Sequence, residues 1–348
     1  MNSIRYPKPL KKGDRVGVCA PSSGVQESMH QIINQSRMML EKRGYIVAEG
    51  ETIWTNEKLV SAPAATRTAE LMSLFQDESI RAIIPPWGGE FLMEILPHVD
   101  WDVLRSIEPK WFMGYSDSST FAFVYTLLTG YASAHGPNYF EMSATEWDET
   151  TTRWTDVLGT SCGESVTQYS SKYYQSSWDG VFRNMQQGFN LDTATEWKCL
   201  TSTEGEENEV RFSGRLLGGC MDTLSILIGT PYAPVTDFIN NYCKDSGVIW
   251  FLESAEMKST DIYRHLWQMR MNGWFENTNG ILFGRPSGYS EPGGFTLTDA
   301  LSGLADLGIP ILYDTDIGHI PPQITLVNGA YSTVSWRNGK GTVKMSFI

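Results

Sequence analysis

The feature that most constrains the fold is a repeated alternation between short apolar runs and segments with helical spacing. Residues 15–20 form a short apolar run typical of a buried strand, and the helical spacing that follows stops near Gly44. The same alternation recurs through residues 45–84 and 110–134. Strands that alternate with helices form a parallel sheet covered on both faces. The amino-terminal part is therefore predicted to be an α/β domain.

The remainder of the chain divides into two further parts. Residues 141–208 lack periodicity and are rich in Trp, Tyr, Ser and Thr, which predicts an ordered excursion containing loops. After it, residues 210–217 are strand-like and end at a Gly218–Cys220 turn, and further strands follow up to the carboxyl end. With 348 residues, two domains are expected. We predict an α/β domain over 1–140, an aromatic-rich connecting and substrate-loop region over 141–208, and a mixed α+β domain over 209–348.

Composition excludes several classes of function. A formal net charge of −13 disfavours nucleic acid and anionic membrane surfaces as partners. The five cysteines are odd in number and form no CxxC pair, so free thiols are expected. No apolar run is long enough to span a bilayer, and the first residues lack an export signal, which favours the cytoplasm. The absence of metal and nucleotide motifs predicts an enzyme with no metal and no cofactor.

Ligands of α/β sheets bind beyond the carboxyl ends of the strands, so the residues that follow each apolar run are the candidate site. Ser116 lies in the tight turn Gly114–Asp117 between a strand and a helix, where its hydroxyl can act as a nucleophile. The alternative is that Ser116 or Asp117 only caps the helix. Gly88 and Gly89 follow another strand and can present backbone N–H groups to an oxyanion, or form a plain turn.

A carboxylate, two histidines and a cysteine are further candidates for the site. Glu253 ends a strongly apolar strand, where an ionised carboxylate requires a partner, either a catalytic imidazole or a structural salt bridge. His135 and His319 lie in Gly- and Pro-flanked turns that can hold an imidazole over a cleft, although loop histidines are commonly structural. Cys220 is a rival nucleophile, or a small buried thiol that packs a turn.

Six segments, taken in order, carry a resemblance to a known family. They are residues 9–23, Gly88-Gly89, Met113-Gly114-Tyr115-Ser116-Asp117, Gly214-Arg215-Leu216-Leu217-Gly218-Gly219, Phe251-Leu252-Glu253 and Gly318-His319. In these segments, and so over nearly the whole chain, the sequence resembles the LD-carboxypeptidase family of serine peptidases, which includes the microcin C immunity carboxypeptidases. The resemblance implies a flavodoxin-like amino-terminal domain carrying the nucleophile, a carboxy-terminal domain carrying the other triad members, and a homodimer.

The resemblance also implies roles for particular residues. Ser116 would be the nucleophile, His319 the general base and Glu253 the group that orients the imidazole. Backbone N–H groups of Asp117 and of the Gly88–Gly89 turn would form the oxyanion hole. Two departures bear on specificity: many relatives have Asn where this chain has Cys220, and Asp where it has Ser254.

The predicted function is that of a serine carboxypeptidase that hydrolyses an amide through an acyl-enzyme. Its substrate would be a small peptide: a murein L,D-peptide or a microcin C-like peptidyl or aminoacyl nucleotide. The aromatic residues of 141–208 slightly favour the peptidyl or aminoacyl nucleotide as substrate, because aromatic rings stack on nucleobases. Two alternatives stay open, a non-catalytic two-domain protein that binds a small ligand and a thiol hydrolase that uses Cys220.

Overall fold

A parallel sheet organises the amino-terminal part of the chain. The computed structural model describes residues 2–177, 187–200 and 209–348, so Trp178 and the rest of 178–186 and 201–208 lie outside the described residues. The strands of this sheet are β1 (Arg15–Val18), β2 (Ile46–Glu49), β3 (Ile80–Ile83) and β4 (Trp111–Phe112). Their order is β2-β1-β3-β4 and every pairing is parallel. A parallel bridge from Met113 to Ala134 places β5 (Ser133–His135) next to β4. This order confirms the flavodoxin-like prediction.

Helices connect these strands. They are α1 (His30–Lys42), α2 (Ala64–Gln76), α3 (Trp101–Ser106) and α4 (Ser118–Thr129). Helix α4 is buried from Ser118 to Leu127 rather than along one face. A helix that is apolar on every side must be covered on every side, and α4 packs against β5 and against the carboxy-terminal part of the chain. The helix that follows Ser116 therefore lies between the two halves of the molecule.

The carboxy-terminal part is built on a mixed sheet, of which the described residues supply eight strands in the order β6-β16-β15-β10-β11-β12-β13-β9. Its central strands are β10 (Glu209–Cys220), β11 (Val248–Glu253), β12 (Thr278–Gly284) and β13 (Ile311–Thr315), and they are parallel to one another. Strands β15 (Tyr331–Arg337) and β16 (Lys340–Ser346) extend the sheet by antiparallel pairing. The mixed α+β prediction is confirmed.

Strand β10 is longer than the sequence pattern indicates. We expected a turn at Gly218–Cys220, and this was wrong, since the strand continues through Cys220 in register with Glu253. A Cβ at Gly218 would collide with the carbonyl oxygen of Phe251, so the missing side chain lets the two strands stay together. The ends of β10 and β11 consequently lie side by side.

The described part of residues 141–208 lines the edges of the mixed sheet. Strand β6 (Ser165–Tyr169) pairs with β16 at one edge, and β9 (Lys198–Cys199) pairs with β13 at the other. The remaining elements are α5 (Glu149–Thr152), α6 (Trp154–Leu158) and the ribbon of β7 (Tyr173–Tyr174) with β8 (Thr193–Ala194). Trp154 and Trp197 are fully buried, which accounts for part of the aromatic content.

Strand β14 joins the two halves. β14 (Leu326–Asn328) pairs with β5, and buried apolar residues of both halves form one continuous core. Helices of the carboxy-terminal part are α7 (Met221–Leu224), α8 (Val235–Phe238), α9 (Ser259–Met271) and α10 (Leu297–Ser302). No helix among the described residues combines the length and the apolar character needed to cross a membrane.

Candidate active site

Ser116 occupies a strained turn between β4 and α4. Its φ is +61°, a left-handed conformation that costs a residue with a Cβ about 1–3 kcal/mol and is concentrated at functional sites. The first N–H groups of the following helix have no partner within the helix and carry partial positive charge. The side chain of Ser116 is thus held at the start of α4, beside backbone donors.

Gly88 contacts this turn directly. A Cβ at Gly88 would lie 2.6 Å from Ser116 Oγ and 2.9 Å from the backbone nitrogen of Asp117. Only a glycine leaves the space beside Ser116 Oγ and the Asp117 nitrogen open. Gly89, with φ of +144°, is adjacent, and a Cβ there would collide with Ser22 Oγ instead. The structure therefore brings Gly88 to Ser116 and directs Gly89 towards the Ser22 loop.

The Asp117 side chain points away from the serine and anchors the turn. Its Oδ2 accepts hydrogen bonds from Ser22 Oγ and from the backbone N–H of Leu92, the latter at 2.8 Å, and Oδ1 accepts one from Thr120. Burial raises the pKa of Asp117, and these donors partly offset the effect. The side chain is structural, so the predicted oxyanion role concerns only the backbone of Asp117.

Glu253 and His319 form a buried pair. Glu253 ends β11, His319 lies in the loop after β13, and His319 Nδ1 donates a 2.8 Å hydrogen bond to Glu253 Oε2. A Cβ at Gly318 would collide with that same oxygen, so Gly318 is what allows the loop to approach the carboxylate. The sequence left the partner of Glu253 open between an imidazole and a structural salt bridge, and the structure pairs it with the His319 imidazole.

Each of the two groups favours the charged form of the other. Burial alone would raise the pKa of Glu253, but the attraction of His319 and its hydrogen bond outweigh burial and lower it. Burial alone would lower the pKa of His319, and Glu253 reverses this, so the pKa of the imidazole is raised. A carboxylate that keeps the Nδ1 proton in place leaves Nε2 to exchange protons with another group.

Tyr115 connects the serine turn to this pair. Its ring packs edge-on against the His319 ring, with centroids 4.9 Å apart, and its hydroxyl donates to Glu141 Oε1 at 3.4 Å. Because Tyr115 and Ser116 are consecutive, this contact brings the nucleophile candidate and the imidazole into one region. Burial raises the pKa of Glu141 to about 8, so this carboxyl is protonated at neutral pH.

Sequence reasoning missed Tyr115 and Glu141. The spacing of Asn138 and Glu141 follows the pattern of a helix capping box, and the structure contains that box, with Glu141 Oε2 accepting from the Asn138 N–H at 2.8 Å. That motif was the available pointer to Glu141. Nothing in the sequence distinguished Tyr115 from the other residues of its turn.

The other two candidates, His135 and Cys220, lie close by, and the Cys220 thiol interacts with the Glu253 carboxylate. His135 is buried, its Nδ1 lies 3.3 Å from Ser119 Oγ, and burial lowers its pKa to about 4, which keeps it neutral. Cys220 ends β10 beside Glu253 and is also buried. Burial, followed by the charges of Glu253 and Asp222, raises the pKa of the Cys220 thiol well above its ordinary value.

A cleft opens next to His319. It has a volume of about 640 Å³, and Ile320, which follows the histidine, is part of its lining. Tyr174, Tyr289 and Tyr313 also line it. The Arg285 guanidinium lies 4.3 Å from the centroid of the Tyr174 ring and pairs with the buried Asp316. The cleft thus offers aromatic faces and charged groups, and Ile320 connects its lining to His319 along the chain.

Comparison with known proteins matches both halves of the chain. The model of the LD-carboxypeptidase N-terminal domain matches residues 16–136, and that of the LD-carboxypeptidase C-terminal domain matches residues 213–334. A putative carboxypeptidase of Vibrio cholerae is 26% identical over 341 residues, which cover 96% of each chain. A probable murein peptide carboxypeptidase of Bacillus subtilis is also 26% identical, over 96% of this chain and 92% of the relative.

A solved structure has the same fold. MccF in complex with glutamyl sulfamoyl guanosine has a TM-score of 0.82 at 18% identity, with 98% of this chain and 99% of that chain covered. Together, the two domain models account for most of the sequence, one on each side of the aromatic-rich region. The chain therefore belongs to the LD-carboxypeptidase family, and its general assignment as a carboxypeptidase follows from that membership.

Proposed function

We propose that this carboxypeptidase is a serine enzyme in which Ser116, His319 and Glu253 act as nucleophile, general base and orienting carboxylate. The observation that carries the proposal is the 2.8 Å hydrogen bond between His319 Nδ1 and Oε2 of the buried Glu253. The imidazole also packs against the ring of Tyr115, which directly precedes Ser116. The strained φ of Ser116 supports it independently. The hydrogen bond from Ser116 Oγ to His319 Nε2 is part of the proposal.

In this mechanism His319 Nε2 takes the proton of Ser116 as Oγ attacks the carbonyl carbon of the substrate amide. Backbone N–H groups of Asp117 and of the Gly88–Gly89 turn stabilise the oxyanion of the tetrahedral intermediate. The imidazolium then protonates the leaving amine as the C–N bond breaks. Water, deprotonated by the same imidazole, releases the acyl group from Oγ. Glu253 stays ionised throughout and stabilises the imidazolium.

For the substrate we propose a small peptide cleaved at an amide next to a free carboxylate. Two substrate classes remain: murein L,D-peptides, since the Bacillus subtilis relative is named a murein peptide carboxypeptidase, and aminoacyl nucleotides, since the MccF structure contains glutamyl sulfamoyl guanosine. The tyrosines in the cleft beside His319 favour the second class, because aromatic rings stack on bases. A cytoplasmic homodimer, implied by the family resemblance, completes the proposal.

Activity assays on two substrates test this function. Wild type, Ser116→Ala and Cys220→Ala are compared on an L,D-tetrapeptide and on an aminoacyl sulfamoyl adenosine, with products identified by mass spectrometry. Ser116→Ala should lose several orders of magnitude in kcat, up to the roughly 10⁶-fold seen when a triad nucleophile is removed. Activity kept in Ser116→Ala but lost in Cys220→Ala would establish the thiol hydrolase instead.

The raised pKa of Cys220 argues against that alternative, because the nucleophile would be the thiolate. The non-catalytic alternative predicts that Ser116→Ala binds the substrate as the wild type does and that neither protein turns it over. It also predicts no labelling of Ser116 by a serine-directed acylating reagent.

A further inference from the structure

Cys220, Glu253 and His319 form a cluster of side chains that are all potential metal ligands. The proposed mechanism uses Glu253 and His319 for proton transfer and assigns no role to Cys220. One ligand atom each of Cys220, Glu253 and His319 lies within 4.8 Å of the other two. A thiolate, an imidazole and a carboxylate are the three protein ligand types of Zn²⁺. They come from three separate segments of the chain, the ends of β10 and β11 and the loop after β13, which is why no metal motif is visible in the sequence.

A second observation points to a ligand at the same place. Glu253 Oε1 is buried and makes no hydrogen bond of good geometry in the part of the chain that the structure describes, whereas Oε2 accepts from His319. The Cys220 thiol, itself one of the three side chains, is the other donor that interacts with this carboxylate. A buried carboxylate oxygen without a donor is costly, and a cation satisfies it directly. Asp222 adds negative charge to this environment, with Oδ2 located 3.6 Å from Cys220 Sγ. Asp222 is held in place by N–H groups of Ala255 and Glu256 at 3.0 Å.

The dimensions are compatible with a tetrahedral ion. Zn–S, Zn–N and Zn–O bonds of about 2.0–2.3 Å place neighbouring ligand atoms roughly 3.3–3.6 Å apart. The cluster must therefore contract by about 1 Å at its widest when it binds an ion. The His319 side chain keeps 19% of its surface exposed, so solvent reaches one of the three ligands.

We propose that Cys220, Glu253 and His319 bind a thiophilic divalent cation such as Zn²⁺, and that this ion inhibits the carboxypeptidase reversibly. The inference of inhibition rests on the proposed function, in which His319 is the base. Binding replaces the thiol proton of Cys220, which leaves to solvent, and the two anionic ligands balance the charge of the ion. An ion on Nε2 occupies the lone pair that would accept the serine proton, and an ion on Nδ1 leaves the proton on Nε2. In both cases the imidazole no longer functions as a base.

Direct binding and inhibition are measured separately. The chelator-treated full-length protein is titrated with Zn²⁺ by calorimetry and with Cd²⁺ by ultraviolet absorbance, where a thiolate–metal charge-transfer band reports the Cys220 ligand. We expect one ion per chain, the band in wild type, and activity that falls with occupancy and returns with EDTA. Cys220→Ser should lose the band and weaken binding by more than the roughly 10- to 100-fold caused by losing an outer-shell partner.

Controls separate this site from the other thiols and from the mechanism. Cys162→Ser removes the exposed thiol and should change neither the band nor the inhibition. Ser116→Ala should bind the ion as wild type does, so the binding result stands even if the serine mechanism fails. If Cys220→Ser is unstable, His319→Gln supplies a second ligand variant. Absence of stoichiometric binding, a band retained in Cys220→Ser, or activity that rises with Zn²⁺ would overturn the proposal.

Discussion

Replacing Glu253 by glutamine tests the proposed triad with the smallest change in shape. The carboxylate is fully buried and accepts a 2.8 Å hydrogen bond from His319 Nδ1. Glutamine has nearly the same volume, and its side-chain oxygen can accept the same bond. The variant therefore removes the negative charge that faces the imidazole and preserves the packing around it.

The expected loss follows from the burial of the pair. In the proposed mechanism, proton transfer from Ser116 leaves an imidazolium whose counterion is Glu253. Removing one partner of a buried ion pair costs about 3–5 kcal/mol. Since about 1.36 kcal/mol corresponds to a factor of ten in rate, kcat/KM should fall by roughly 10²- to 10⁴-fold.

The same charge determines the pH at which His319 can act as a base. Burial favours the neutral imidazole, Glu253 reverses that preference, and the pKa of His319 is raised above its ordinary 6.5. A base must be unprotonated, so the wild-type rate should rise with pH through this raised pKa. Without the charge of Glu253, burial has more weight and the acid limb of the pH profile should move to lower pH.

The assay is kcat/KM across the pH range on one peptide substrate, with Glu141→Gln as the matched control. Glu141 is also a buried carboxyl near His319, but burial raises its pKa to about 8, so glutamine resembles its protonated form at neutral pH. This control should lose far less activity. The reasoning is refuted if Glu253→Gln loses no more activity than the control, or if its acid limb stays where it is in wild type.

Two further predictions concern the neighbouring groups. Gly88→Ala places a Cβ 2.6 Å from Ser116 Oγ and 2.9 Å from the Asp117 nitrogen, and should lower kcat by roughly 10²- to 10³-fold, the value of one oxyanion donor. Steady-state kinetics that show an unchanged kcat would contradict this. The free energy of unfolding should fall as pH rises from about 4.5 towards 8, because folded Glu141 retains a proton that the unfolded chain has lost. Denaturant titrations at several pH values give the free energy of unfolding as a function of pH. This free energy should fall less steeply with pH in Glu141→Gln than in wild type, and an equal pH dependence in the two proteins would exclude the effect.

Local patterns predict the sheets well because each strand is an apolar run that must be buried. Residues 15–20 and 248–252 satisfy this condition, and they become the central strands β1 and β11. The end of β10 shows the limit of the method. Gly218 and Gly219 are typical of a turn, but here they permit close approach to β11, and a single sequence contains no information about that neighbour.

Part of the candidate site can also be anticipated from local properties of the chain, and the rest depends on tertiary structure. Glu253 requires a partner where its apolar strand ends, so its need for one is a local property of the chain. Whether that partner is an imidazole, and which histidine supplies it, depends on tertiary structure. The sequence predicts turns at both His135 and His319, and the structure instead places His135 at the end of β5. The structure distinguishes them: His319 contacts Glu253, whereas burial keeps His135 neutral next to Ser119. Tyr115 contacts both His319 and Glu141, and no sequence pattern indicates either contact.

The parallel pairing of β10 and β11 connects the proposed chemistry with the proposed inhibition. In a parallel sheet the last residues of adjacent strands lie at the same edge, and here those residues are Cys220 and Glu253. A thiol at that position is unsuited to nucleophilic attack, because burial and then the carboxylate beside it raise its pKa and disfavour the thiolate. A divalent cation reverses this effect by binding both anions at once. Cys220, at the end of β10, therefore takes no part in the proposed nucleophilic attack. In the proposed inhibition, it determines whether a metal ion can bind to His319, the proposed base.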